Sequence, residues 1–189
     1  MFNIPNVLTL ARILAVPLFL SLLVEGEHDA AVAVFVAAGV TDAVDGMIAR
    51  MWNMRTELGA HMDPLADKLL VVSSFIALGI MGLVPRPLMI VVIMRDVVIL
   101  GGFLLTAAVV GKSMEMAPSL SGKLTTFTQL LSVTLVLLDL ASWASVPQPL
   151  LSGVFWATGA ASFVSGSGYV LRGMRWYQSS GAEDAPGEP

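Results

Sequence analysis

Four aspartates are concentrated in residues 41–68 of a chain that is otherwise 56% hydrophobic. Asp42 and Asp45 are three residues apart, and Asp63 and Asp67 are four apart, so each pair shares one face of an α-helix. Carboxylates in apolar surroundings repel one another unless cations lie between them. An oxygen-only ligand set suits Mg²⁺ or Mn²⁺ better than zinc, and the chain has no cysteine. The stretch therefore predicts a site for divalent cations.

Small residues and one arginine accompany the aspartates on the same helix faces. At about 100° per residue, Gly46, Ala49 and Arg50 fall on the side of the first aspartate pair. Gly59 falls on the side of the second pair. A purely structural set of helix-capping aspartates does not explain this alignment. A divalent-cation transporter, which also uses acidic residues, explains the carboxylates but not the arginine and glycines among them.

The composition indicates a single integral membrane domain. The 189 residues are too few for a catalytic domain with a separate membrane anchor. The mean hydropathy is +0.82, and only 13% of the residues are charged. A net charge of −4 without a basic patch argues against binding of nucleic acid. The absence of cysteine excludes disulfides, thiolate catalysis and iron–sulfur clusters.

Six apolar segments predict an all-α bundle of six transmembrane helices behind a short interfacial segment, residues 1–7. The first aspartate pair falls in the last turns of the second segment, and the second pair in the first turns of the third. We expect one membrane domain over 1–177 and a polar, disordered tail over 178–189. The expected spans are about 8–24, 30–49, 59–83, 88–110, 121–141 and 150–171.

The distribution of basic residues predicts the orientation. With six spans both termini share one side, and nearly all of the arginines and lysines flank that side, whereas Arg86 alone lies in a loop on the other. We therefore expect the termini and the aspartates to face the cytoplasm of a bacterial inner membrane, or the matrix across a mitochondrial inner membrane.

The spacing of the fixed residues over 42–67 resembles the signature of the CDP-alcohol phosphatidyltransferases at every motif position. The resemblance implies a six-helix membrane bundle that forms a homodimer. It also implies an activity, in which a CDP-activated lipid loses CMP when an acceptor hydroxyl attacks the β-phosphorus. The motif reads Asp42-x2-Asp45-Gly46-x2-Ala49-Arg50-x8-Gly59-x3-Asp63-x3-Asp67.

The resemblance also implies a role for each aspartate. Asp42, Asp45 and Asp63 are expected to be ligands of two ions, Mg²⁺ or Mn²⁺, and Asp67 to complete the shell of the second ion. Two ions about 3.5–4 Å apart would bracket the attacking and leaving oxygens. Asp67 is in addition the expected general base that takes the proton of the acceptor hydroxyl.

The remaining motif residues are expected to bind the CDP moiety. Gly46, Ala49 and Gly59 are small enough for the cytidine and pyrophosphate to lie against the backbone. Arg50 carries a permanent charge in a planar fork that fits a phosphate.

The segments that flank the motif are similar to those of the CMP-forming cardiolipin synthases, a branch of the family. This similarity implies transfer from CDP-diacylglycerol to phosphatidylglycerol, giving cardiolipin and CMP. Phosphatidylglycerophosphate synthases, whose acceptor is glycerol 3-phosphate, share the opening NIPNxLT and a Gly-Lys-x-x-Thr like residues 122–125, so that alternative stays open. The similar segments are 3–12, 41–69, 85–101 and 118–129.

Charge favours phosphatidylglycerol as the acceptor. Glycerol 3-phosphate is a soluble dianion and should require several cations, but few remain outside the motif on the side of the aspartates. Arg95 and Lys123 are the candidates for binding the acceptor phosphate. The alternative for both is a side chain that extends to the membrane surface without contacting substrate.

Overall fold

The structure is a computed structural model that describes the backbone of residues 4–52, 57–110 and 120–183, and the side chains of 10–41, 68–102 and 120–174. These residues form helices and turns without a strand, which confirms the all-α prediction. The helices are α1 (Ile4–Glu25), α2 (His28–Trp52), α3 (Glu57–Ile80), α4 (Arg86–Val110), α5 (Leu120–Leu140) and α6 (Gln148–Glu183).

The predicted segments coincide with these helices to within about four residues at each end, apart from the end of α6. α1 begins at Ile4, so residues 4–7 are helical where the sequence predicted an interfacial segment. α3 begins at Glu57, two residues earlier than expected. α6 continues to Glu183, so 178–183 is helical where the sequence predicted a disordered tail. Extending an existing helix adds one hydrogen bond for each residue fixed. A helix can therefore continue beyond the end of the apolar segment in which it formed. Residues 184–189 lie outside the described part.

Tight turns join the helices at the end of the molecule opposite the aspartate motif. Gly26 follows α1 and Gly82 follows α3, with φ of 81° and 77°, the left-handed conformation that commonly ends a helix. Ser142 follows α5 at a φ of 58°. There the carboxylate of Asp139 accepts a hydrogen bond from the Val146 amide at 2.9 Å. This pairing satisfies a loop amide and holds the connection to α6.

Helix packing places an apolar core between α1, α2, α3 and α5. α1 packs on α2 and α3, α5 packs on α6, α2 and α3, and α4 packs on α6 and α3. Phe19 and Phe35 join α1 to α2, with ring centroids 5.7 Å apart. Phe75 and Leu78 of α3 are fully buried in the same core. This core fixes the helices that carry the two halves of the motif.

Polar residues are buried alongside the apolar core, and large apolar residues also lie on the outer surface. Leu14 on α1, Met94 on α4 and Trp156 on α6 are more than half exposed. The buried polar residues include Arg12, Ser74, Arg95, Asp96, Thr125, Thr128, Gln129, Ser132, Thr158, Ser162 and Ser165. Bundles that pack in lipid show this distribution, because polar side chains find partners between helices and the outer surface meets hydrocarbon.

Among the described side chains, one helix is long and apolar enough to cross a membrane, namely α5. Two shorter apolar helical segments accompany it, His28–Thr41 and Lys68–Ile80. Six membrane-spanning helices therefore remain a prediction.

Candidate active site

The backbone brings the two aspartate pairs to the same end of the bundle. Trp52 ends α2 and Glu57 begins α3, and the chain between them spans no more than about 18 Å. At about 1.5 Å per residue, Asp45 and Asp63 both lie about 10 Å inside those helix ends, and Asp42 and Asp67 both lie about 15 Å inside. The two pairs are therefore matched in depth along the bundle.

Both pairs lie in unbroken helix, which confirms the helical spacing on which the prediction was based. Gly46, Ala49 and Arg50 also lie in α2, and Gly59 lies in α3. The side chains of 42–67 are outside the described part of the chain. The assigned roles in metal binding, donor binding and proton transfer accordingly stay predictions. The described side chains themselves contain no group of three or more carboxylates or imidazoles that could hold a metal.

Arg12 lies at the depth of the first aspartate pair. It is about 13 residues before the end of α1, and Thr41 is about 13 residues after the start of α2, across the turn at Gly26. Its side chain is only 4% exposed. A buried guanidinium at this depth is not a residue that extends to the membrane surface, and it places a positive charge at the level of the predicted carboxylate site.

A charged cluster joins the motif helix to α4 and α6; Arg95 and Asp96 are buried in it, whereas the Lys68 side chain is 37% exposed. Lys68, the residue after Asp67, places its Nζ 2.6 Å from Oδ1 of Asp96. Arg95 donates from Nη1 to the same oxygen at 2.6 Å, and from Nη2 to Oγ of Ser165 at 3.0 Å. We call Lys68, Arg95, Asp96 and Ser165 the inner charge cluster.

Small residues on α6 leave room for Arg95 in this cluster. A Cβ added to Gly166 would meet Cγ of Arg95 at 3.5 Å, so the helix surface around Ser165 lies directly against the arginine stem. Arg95 and Asp96 are only 8% and 9% exposed. Interior ion pairs of this kind are costly to break, because removal of one partner leaves a buried charge without compensation.

The two predicted acceptor cations differ in environment. Arg95 is buried and holds Asp96 and Ser165, so it is not a side chain that extends to the surface. Its binding of an acceptor phosphate would require these bonds to be shared or exchanged. Lys123 lies in the first turn of α5 and is exposed, which leaves its ammonium accessible from the end of the bundle that carries the aspartates.

Hydroxyl groups connect α5 to α6 beside the charged cluster. Thr125 donates to the Ala161 carbonyl at 3.0 Å, and the hydroxyls of Ser132 and Thr158 are 2.8 Å apart. Gln129 lies between these two levels and is fully buried. Within the described part, its amide nitrogen and oxygen find no hydrogen-bond partner. The contacts hold α6 against α5, and through Ser165 against Arg95.

Asp96, Lys68 and Ser165 have no role that the sequence pattern predicts. The available signal was an Arg-Asp dipeptide in the middle of an apolar helix, where charged residues are expensive and usually paired. Sequence alone did not identify the partner, because Lys68 is 28 positions away from Asp96 and Ser165 is 70 positions away from Arg95.

Comparison with known sequences places the motif in a family. The sequence model of the CDP-alcohol phosphatidyltransferases matches residues 2–164. The chain is 33% identical over 195 residues to the CDP-diacylglycerol–glycerol-3-phosphate 3-phosphatidyltransferase of Bacillus subtilis, covering 95% of this chain and 100% of that protein.

The similar proteins include two kinds of synthase, which are named for different products. A Mycobacterium tuberculosis protein described as a probable phosphatidylglycerophosphate synthase is 36% identical over 179 residues, which is 92% of this chain and 82% of that protein. The CMP-forming cardiolipin synthase of Homo sapiens is 42% identical over 100 residues, which is 52% of this chain and 33% of that protein.

Proposed function

The chain belongs to the CDP-alcohol phosphatidyltransferase family, and we propose that it transfers the phosphatidyl group of CDP-diacylglycerol to phosphatidylglycerol, forming cardiolipin and releasing CMP. One observation carries the proposal: the aspartates of the complete motif lie on two successive helices, in unbroken helix and at matched depths. A cation transporter would not require the arginine and small residues of the same motif.

The donor set fits two Mg²⁺ or Mn²⁺ ions. Asp42, Asp45, Asp63 and Asp67 would hold them, since hard divalent cations prefer carboxylate oxygens. When bound, the ions would neutralise charge on the pyrophosphate and on the departing CMP. Four carboxylates at one end of an apolar bundle require such compensation.

The motif residues would also bind the donor and accept a proton from the acceptor. Arg50 would bind a phosphate of the CDP moiety, and Gly46, Ala49 and Gly59 would leave room for it along the helix backbones. Asp67 would accept the proton of the acceptor hydroxyl as that oxygen attacks the β-phosphorus. CMP then leaves with the electron pair of the broken phosphoanhydride bond, and the new phosphodiester joins the phosphatidyl group to the acceptor.

The distribution of polarity supports catalysis within a membrane. The exposed apolar surface would contact lipid chains, while the polar interior would contact headgroups. A site about 10 to 15 Å inside the helix ends suits a donor whose nucleotide is water-soluble and whose acyl chains stay in the bilayer.

The choice of acceptor rests on charge. Among the described residues, Arg95 and Lys68 of the inner charge cluster already share the carboxylate of Asp96, so the cluster offers little positive charge to a dianionic acceptor. Phosphatidylglycerol carries a single negative charge and gains binding from its acyl chains, whereas glycerol 3-phosphate is a dianion without chains. The curated relatives include synthases of both products, so the acceptor is the part of the proposal that most needs an experiment.

We expect the purified protein to make cardiolipin when given CDP-diacylglycerol and phosphatidylglycerol. Mass analysis of the lipid products, with phosphatidylglycerol and glycerol 3-phosphate supplied in separate reactions, checks this result. Formation of phosphatidylglycerophosphate without cardiolipin would overturn the choice of acceptor and leave the phosphatidyltransferase assignment intact. Product from neither acceptor, although Mg²⁺ is present and CDP-diacylglycerol binds, would contradict both.

Lys123→Ala tests which substrate the exposed lysine serves. Loss of its ammonium is expected to raise the apparent KM for phosphatidylglycerol about threefold to tenfold, since one charge-assisted contact is removed. The KM for CDP-diacylglycerol should change less. Arg50→Ala is the matched comparison and should show the reverse pattern. Equal effects of Lys123→Ala on both substrates would contradict the assignment of Lys123 to the acceptor.

A further inference from the structure

The inner charge cluster includes the residue that follows a predicted metal ligand. Lys68 follows Asp67 in α3, and consecutive Cα atoms are about 3.8 Å apart. The Lys68 ammonium is bound by a carboxylate from a different helix, Asp96 of α4. Asp96 is therefore one of the groups that hold this positive charge near the backbone of the motif.

Asp96 binds its two cations asymmetrically. Its Oδ1 receives both Lys68 and Arg95 at 2.6 Å. Its Oδ2 is buried and finds no hydrogen-bond partner in the described part of the chain. A buried carboxylate oxygen without a partner is costly and rare. Within the described part, the contacts of Asp96 in the cluster are therefore charge pairs made through one oxygen.

The net charge of the cluster affects how tightly the motif aspartates would bind divalent cations. Among the described residues, one carboxylate faces two cations in this cluster, and loss of the carboxylate would raise the net charge of the cluster by one. Positive charge close to a divalent-cation site weakens binding, and in a partly buried site the effect of one charge remains strong at distances of about 10 Å. Removal of Lys68 would lower the net charge instead.

We propose that Asp96 is a positioning residue for the metal-binding carboxylates: it holds Lys68 and Arg95 on one oxygen and so limits the positive charge beside Asp67. This inference rests on the proposed function, because it assumes that the motif aspartates bind divalent cations. It also explains the position of Arg95, which donates hydrogen bonds to Asp96 and to Ser165 on α6 and so links the two.

The test measures binding of Mn²⁺ to the purified full-length protein in detergent, without lipid substrates. Titration calorimetry, or the electron paramagnetic resonance signal of free Mn²⁺, gives the affinity. Asp96→Asn should weaken Mn²⁺ binding about tenfold, because the cluster then carries one more positive charge. Lys68→Met should tighten it about threefold or more. The double variant Lys68→Met/Asp96→Asn, which has the same net charge as the unaltered protein, should return close to the affinity of the unaltered protein.

A structural role makes a different set of predictions. If Asp96 only braces the helices, the double variant should bind Mn²⁺ no better than Asp96→Asn, and Lys68→Met should weaken binding or leave it unchanged. Asp139→Asn is the matched control, because Asp139 also accepts a hydrogen bond but lies at the opposite end of the bundle. It should lower the thermal unfolding temperature without changing the affinity for Mn²⁺.

The outcomes separate this inference from the proposed function. If the unaltered protein binds Mn²⁺ and Asp63→Asn does not, the metal site stands; unchanged affinity in Asp96→Asn or in Lys68→Met would then overturn the role of Asp96 alone. If the unaltered protein binds no Mn²⁺, the metal site and this inference both fail. Should Asp96→Asn not fold, the direction of the Lys68→Met effect decides the matter.

Discussion

Asp67→Asn is expected to reduce the turnover number by about 10³-fold or more while the protein still binds CDP-diacylglycerol. General-base catalysis is typically worth 10²–10⁴-fold, and an amide cannot take the proton of the acceptor hydroxyl. The loss of one ligand to the second ion adds to the effect. Steady-state kinetics, together with binding of a CDP-diacylglycerol analogue, separates a lost chemical step from lost donor binding.

Asp63→Asn is the comparison for this experiment. As a residue expected to contribute only to metal binding, it should lose Mn²⁺ affinity and activity together. Asp139→Asn should retain a turnover number near that of the unaltered protein, since it lies at the opposite end of the bundle. A near-normal turnover number in Asp67→Asn would show that Asp67 is not the base, and the proton would then need another acceptor.

Removal of divalent cations should abolish turnover completely, and addition of Mg²⁺ or Mn²⁺ should restore it. The physical reason is the matched depth of the two aspartate pairs: with no cation between them, four carboxylates at one end of an apolar bundle repel each other and the pyrophosphate of the donor. The measurement is CMP release after exhaustive treatment with EDTA, followed by titration with each metal.

Calcium provides the control for this second experiment. Ca²⁺ is larger and adopts looser coordination than Mg²⁺, so it should restore little or no activity even if it binds. Full CMP release after chelation would rule out the two-metal proposal. Restoration by Zn²⁺ alone would also argue against it, because zinc prefers nitrogen and sulfur ligands.

The sequence was sufficient for the helices and insufficient for the contacts between them. Apolar length and the Gly and Pro positions placed all six helices within a few residues, except at the end of α6. Helix periodicity also placed the aspartate pairs correctly on α2 and α3, because these spacings are local. The roles of the motif side chains came from resemblance to a family and still depend on experiment.

Arg95 shows why the rest could not be predicted. Near the middle of an apolar helix, its charge fits either a ligand for the acceptor or a side chain that extends to the membrane surface. Its burial against Asp96 and Ser165 excludes the second interpretation, and binding of the acceptor stays a prediction. A contact between residues of different helices produces no regular spacing in the sequence. The pairing of Arg95 and Asp96 with their partners depends on how α4 is rotated against α3 and α6.

The turns at Gly26, Gly82 and Ser142 have a consequence for biosynthesis. They divide the chain into three helical hairpins, α1–α2, α3–α4 and α5–α6, each packed internally. Asp42 and Asp45 belong to the first hairpin, and Asp63 and Asp67 to the second. A ribosome would release these halves one after the other, so the proposed four-carboxylate site would form only once separate hairpins have docked. A nascent or misassembled chain is therefore expected to be inactive in the proposed transfer.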